Sequence, residues 1–331
     1  MTAALIPVDS VEITAVVDST ADMLLPDAGL VRRWGLSGTV GPVPSLPSDV
    51  AAGGSTLDLL RAEHGYSAVV DVRAGDRTHR VLYDAGISPD GLIENLDRLG
   101  IGPDTFEAIV LSHGHFDHVG GLHGLARRMT ARDVPLVVHP EFWTRRRLAD
   151  LIELPTPGRA AIEGAGFTII EDRQPSFLLD GTLLVTGEVP RTTAFETGMP
   201  KSHQAWRDGR WQHDPLVHED QALIAHVRSK GLAIVTGCGH AGIVNIVRQA
   251  KRLTGVDDIY LLTGGLHLRD GPVVAASVAA LAAERPRMIV PAHCTSWLAH
   301  RALYDAMPEA YRPNSVGSRI ELAATDGVDG S

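Results

Sequence analysis

Apolar and polar positions alternate along residues 11–17 (VEITAVV), and this period of two predicts a strand. Two further runs, 66–72 (YSAVVDV) and 78–86 (THRVLYDAG), read as a hairpin turning at Gly75-Asp76. Ser88-Pro89 is a cap and first-turn pair for a helix that continues to Leu99 and is closed by Gly100. A short buried strand at 106–112 (FEAIVLS) precedes a helix at 121–129 (GLHGLARRM) and a strand at 134–140 (VPLVVHP). The second half has strands at 181–189, 221–227 and 231–237, then a helix at 242–253. A strand at 257–264, a helix at 272–284 and a strand at 287–293 complete it. The pattern predicts a mixed α/β fold in which ionisable side chains repeatedly follow strand C-termini.

Two stretches lack periodicity. Residues 26–56 are rich in Gly, Pro and Ser and read as a long loop, a functional lid or a disordered stretch. Residues 190–218 carry His203, His213 and His218 with Trp206 and Trp211 among charges, and the tryptophans predict an ordered, lid-like loop. Otherwise the 331 residues read as one domain, long enough to bury a sizeable core. The net charge of −10 argues against a nucleic-acid footprint. Arg145, Arg146 and Arg147 form a local exception, expected on the solvated face of a helix. Two cysteines, Cys238 and Cys294, are too few for a disulfide framework. No basic segment precedes an apolar run at the start, and no apolar stretch is long enough to span a bilayer. A cytoplasmic chain with a small-molecule substrate, no nucleic-acid or membrane partner and a homodimeric assembly is the expectation.

Fifteen histidines are the departure from ordinary composition. Three lie in Ser112–His118, SHGHFDH, directly after a buried strand. Imidazole nitrogens and carboxylate oxygens are common ligands of Zn²⁺ at close to 2 Å. His113 and His115 converge on one ion if the turn brings positions i and i+2 together, a freedom that Gly114 would give. Asp117 and His118 diverge from each other, which suits a second ion about 3.5–4 Å from the first.

SHGHFDH resembles the metal-binding signature of the metallo-β-lactamase superfamily. VLYDAG resembles the strand whose aspartate, here Asp84, supports the metal loop. TGEVPR, EDQALI, TGCGHAGIVNIV, TGGLHL and PAHCTS resemble the branch around the dihydropterin synthase of methanopterin biosynthesis. The resemblance covers roughly residues 10–320 and implies an αββα sandwich of two mixed sheets flanked by helices, with residues 26–56 as an insertion. It also implies one or two zinc ions, with iron or manganese as alternatives. His113 and His115 would bind the first ion, and Asp117, His118 and His293 the second. At the remaining positions of the family pattern stand Glu188 and Cys238, with His240 two residues beyond. His240 is expected as a ligand, returned to the centre by a turn through Gly237 and Gly239, or else as a ligand's partner or helix cap. Cys238 is a thiolate ligand or a small buried residue; Glu188 is a ligand, a ligand's partner or a salt-bridge residue with Arg191.

The expected activity is hydrolysis by metal-bound hydroxide, with Asp117 orienting the nucleophile and His267 contacting substrate or packing in the core. Trp206 and Trp211 would cover a small aromatic or heterocyclic substrate: an ester, lactone, amide, phosphoester or activated aryl halide. The rival activities are a pterin synthase-like transferase and an iron-dependent oxygenase. His123 is expected to be structural, His139 to be structural or on the pocket rim, and Cys294 to pack in the core.

Overall fold

A computed structural model describes residues 5–269 and 271–324. Two mixed sheets lie face to face. The larger has eight strands and pairs Phe167–Glu171, Val134–Val138, Ala108–Val110 and Arg77–Tyr83 in parallel. It continues antiparallel through Ser67–Ala74, Ser10–Val17, Arg319–Ala323 and Val31–Arg32. The smaller has six strands, with Ser176–Leu178, Leu183–Val185, Leu223–Val227 and Gly231–Thr236 antiparallel. Ile259–Gly264 and Met288–Pro291 then follow Gly231–Thr236 in parallel.

Period-two burial explains the layers, because each central strand sends one set of side chains inward and the other outward. Val11, Ile13, Val70 and Val81 from the large sheet meet Val185, Leu223, Val235 and Leu261 from the small one. Behind the large sheet, Leu82, Ile109 and Leu136 pack on Leu92 and Leu96 of helix Gly91–Leu99 and Leu125 of helix Leu122–Arg128. Behind the small sheet, Ile234 and Leu262 pack on Val244 and Val247 of helix Ile243–Thr254, Leu281 of Gly271–Glu284 and Leu303 of Trp297–Ala306. The expected αββα sandwich is therefore the observed architecture. No helix among the described residues is long and apolar enough to cross a membrane.

Three local expectations are corrected. The first helix begins at Gly91, and the Ser88 hydroxyl accepts from its N–H. Residues 26–56 contain short strands, one of which, Val31–Arg32, edges the large sheet. The arginine run is not helical: Arg146–Leu148 is a strand in a separate four-stranded sheet. In that sheet it pairs with the hairpin His203–Arg207/Arg210–His213 of the predicted lid. Arg146 is buried because its guanidinium is held between Asp214 and Glu219, each at 2.9 Å.

Candidate metal centre

Strands Arg77–Tyr83 and Ala108–Val110 run parallel, so their C-terminal ends meet at one edge. Asp84 leaves the first with a left-handed backbone (φ 57°) and is fully buried. One carboxylate oxygen accepts from the Ser112 N–H at 2.7 Å. The other accepts from the Ser112 hydroxyl and faces His118 Nδ1, each at 2.7 Å. These bonds set the entry of the SHGHFDH turn. Gly114 is required for a different reason from the one expected. Its backbone is not left-handed, but an added Cβ would overlap the Phe142 carbonyl oxygen.

The small sheet presents its own parallel C-termini at the same seam. His240, His267 and His293 follow strands Gly231–Thr236, Ile259–Gly264 and Met288–Pro291. Gly239 takes the left-handed conformation (φ 77°) that the turn to His240 needs, and Gly237 leaves room beside Ser112 and Asp84. Ligand ends at strand C-termini are a general property of α/β sheets.

Three nitrogens converge. His113 Nε2 lies 3.0 Å from His115 Nδ1 and 3.2 Å from His240 Nε2, and the last two are 3.1 Å apart. A ring nitrogen presents either an N–H or a lone pair, so at least two of the three are alike and repel. A cation among them removes the conflict. Zn–N bonds of 2.0–2.1 Å at tetrahedral angles give an N···N edge of about 3.3 Å, close to the observed triangle. Burial, then neighbouring cations, push all three histidines well below their ordinary value, so their lone pairs are available. The residues present therefore fit a metal ion.

A second group adjoins. Asp117 Oδ2 is 3.2 Å from His293 Nε2 and 4.0 Å from His118 Nε2. His118 Nε2 is buried and makes no hydrogen bond. With Nδ1–H donated to Asp84, that nitrogen keeps a lone pair, the arrangement typical of a carboxylate-backed metal histidine. Burial would raise Asp117, yet His118, His293 and His115 hold it well below the usual carboxylate range. Burial alone would lower His293, but Asp117 and Cys294 bring it up to about 10. For His118, burial is likewise outweighed by Asp84 and Asp117, and its value rises.

The other expected residues divide. The Cys238 sulfur is within 4.8 Å of donor atoms on His113 and His118, and within that distance of donors on His240 and His267. Burial raises the Cys238 thiol. His267, left-handed at φ 46°, sets its ring at a tilt to that of His240, 4.3 Å between centroids. Together with Thr197, Ile243, Leu266 and Leu268, the two line a 60 Å³ cavity. Glu188 is not in the cluster: it pairs with Arg173, not Arg191, and with His139 at 3.3 Å. Trp206 and Trp211 face each other across the hairpin, 5.3 Å between centroids, with Arg145 against both rings. His139 is buried, and its Nδ1 accepts from the Glu141 N–H.

His64, His203 and Asp220 were not expected at the centre, and Cys294, expected in the core, is only partly buried and lies against His293. His203 Nε2 lies 3.0 Å from His115 Nε2, and its Nδ1 is 2.9 Å from the Asp214 carbonyl oxygen. His64 Nε2 is 3.9 Å from Asp117 Oδ2, and Cys294 Sγ is 3.1 Å from His293 Nε2. Asp220, raised to about 7 by burial, accepts from the Ala241 N–H and lies 3.9 Å from His113 Nδ1. Neither His64 nor His203 stands in a recognisable motif; proximity to glycine and tryptophan was the only local signal.

The family model described as "Metallo-beta-lactamase superfamily" matches residues 61–244. The 7,8-dihydropterin-6-methyl-4-(beta-D-ribofuranosyl)-aminobenzene-5'-phosphate synthase of Methanocaldococcus jannaschii is 28% identical over 270 residues, 79% of this chain and 90% of that protein. An uncharacterized protein of the same organism is 32% identical over 208 residues, 62% of this chain and 73% of its own. A crystal structure of a metal-dependent hydrolase of the beta-lactamase superfamily superposes with TM-score 0.70 at 19% identity, covering 95% of this chain and 99% of that one.

Proposed function

The chain belongs to the metallo-beta-lactamase superfamily, and from that premise we propose that it is a metal-dependent hydrolase of a small molecule. The observation that carries the reading is the convergence of two donor groups on one seven-residue turn. We assign His113, His115 and His240 to one ion and Asp117, His118 and His293 to a second. Zinc suits this nitrogen-rich donor set; metal analysis separates it from iron and manganese. A divalent ion there supplies Lewis acidity and lowers the pKa of a coordinated water from 15.7 towards about 7.

The chain's own residues do the rest. Asp117, held ionised by the surrounding histidines, would orient the attacking water by accepting a hydrogen bond from it at a carboxylate oxygen. His267, kept neutral chiefly by burial, offers a hydrogen-bonding edge on the cavity wall. Leu266, Leu268 and Ile243 give that wall an apolar face beside the two imidazoles. An ester, lactone, amide, phosphoester or activated aryl halide of an aromatic or heterocyclic compound is the substrate class.

The pterin-pathway relative favours a second reading, a non-hydrolytic synthase acting on a phosphate-bearing substrate. A 520 Å³ cavity lined by Arg173, Arg191 and Arg252 is the basic feature that this reading would use. Turnover in ¹⁸O-labelled water tests the first reading. One labelled oxygen in the product of the zinc-loaded enzyme, with loss of turnover on chelation, is expected. Unlabelled product from a metal-dependent reaction overturns hydrolysis in favour of the synthase.

A further inference from the structure

We propose that the half of the centre built on Asp117 and His293 also carries a sulfur ligand, Cys294, and a loop imidazole, His64. The inference rests on the reading that the cluster holds metal. It makes the centre unsymmetrical, with nitrogen donors alone on one side and a thiolate on the other.

Four donor atoms, from His64, Asp117, His293 and Cys294, lie within 4.8 Å of one another. Cys294 Sγ is 3.1 Å and Asp117 Oδ2 3.2 Å from the same nitrogen, His293 Nε2. Zn–S at 2.3 Å and Zn–N at 2.0–2.1 Å give a tetrahedral S···N edge of about 3.5 Å. Small adjustments therefore bring Cys294, Asp117, His293 and His118 into one four-coordinate set, with His64 against it 3.9 Å from Asp117 Oδ2. His118 Nε2, fully buried and unpartnered, faces the group 4.0 Å from Asp117 Oδ2.

Backbone geometry singles out both added residues. Cys294 has φ 54°, a left-handed conformation that costs a non-glycine residue about 1 kcal/mol and persists only where its surroundings enforce it. Next to His64, a Cβ on Gly65 would stand 2.7 Å from the Asp117 carbonyl oxygen and 2.8 Å from the Ile87 nitrogen. Only glycine lets the loop lie this close to the metal turn, where Tyr66 N–H also donates to the Asp117 carbonyl. The His64 ring then meets that of His293 edge-on, 4.6 Å between centroids. A thiolate favours zinc, cadmium or iron over manganese and magnesium at this position.

Titration of the metal-free protein with Co²⁺ tests the proposal. On binding, the Cys294 thiol releases its proton to solvent and forms a sulfur–cobalt bond. An intense near-ultraviolet thiolate-to-cobalt band is expected in the wild type and in Cys238→Ser, and not in Cys294→Ser. His64→Gln, at an exposed position, should keep the band and weaken binding of that ion about tenfold. In the wild type, bound cobalt should also protect Cys294 from alkylation, a readout independent of how the variants fold. Cobalt uptake with only the weak visible bands of nitrogen and oxygen ligation, or a band that disappears in Cys238→Ser alone, overturns the thiolate assignment while leaving the metal reading intact. No cobalt uptake removes both.

Discussion

Asp84→Asn separates the support of the centre from its ligands. The left-handed backbone at φ 57° tolerates asparagine, and the side chain keeps its size. One amide oxygen still accepts from the Ser112 N–H, and the Ser112 hydroxyl can turn to accept from the new NH₂. His118 cannot adapt so freely. Its Nδ1, 2.7 Å from the replaced oxygen, would now face a donor. The imidazole proton therefore moves to Nε2, the atom assigned to metal. Returning it to Nδ1 sets two donors against each other in a buried site, at about 1–3 kcal/mol. The ion held by Asp117, His118 and His293 should thus bind about 10–100-fold more weakly, the range known for lost partners of metal histidines. Competition with a chromophoric chelator measures that loss. Long-range ¹H–¹⁵N spectra of the metal-free variant report the tautomer. A His118 still protonated at Nδ1, or affinity for that ion within about threefold of wild type, would refute the reasoning.

Arg146→Leu leaves Glu219 buried without its cation and Asp214 with only Arg207 at 3.4 Å, and should cost about 3–5 kcal/mol in denaturant unfolding; a loss under about 1 kcal/mol would mean the acids are solvated. Gly237→Ala places a methyl against Ser112 Oγ and Asp84 Oδ2, and should lower both thermal stability and metal content. Unaltered metal stoichiometry would contradict it. In the metal-free protein, His113, His115 and His240 are neutral when folded and protonate on unfolding below pH 6.5, so stability falls as pH falls. Three protons contribute a slope of up to about 4 kcal/mol per pH unit. Asp220 and Asp18, protonating in the fold near 7 and 6, oppose it by up to about 1.4 each. His118 and His293, protonated in both states below pH 6.5, add none. Denaturant midpoints at pH 7.5, 6.5 and 5.5 should shift accordingly, and a flat profile would be decisive against it.

Local spacing made much of this centre legible. His113, His115, Asp117 and His118 share one turn, and His240 and His293 each follow a parallel strand whose direction the apolar runs disclose. Residues brought in by tertiary pairing were not legible. His203 reaches His115 because its strand pairs with Arg146–Leu148, a contact 55 residues away in sequence between His203 and Leu148. Arg146 looked like a solvated charge because its two acidic partners lie far along the chain, at |i−j| of 68 and 73. Glu188 follows a strand at the correct edge, but Gly187 at φ 60° turns the chain onto Arg173, whose carbonyl accepts the Glu188 N–H at 3.1 Å. No period in the sequence encodes that change of direction.

The donor atoms come from loops of both sheets, which otherwise meet chiefly through an apolar interface. An ion seated there is a clasp between two layers, and at a free concentration 1,000 times its dissociation constant such a clasp is worth about 4 kcal/mol. In a cell starved of the ion, the chain would open more often and meet proteases sooner. Its abundance would then follow mineral supply even at constant synthesis.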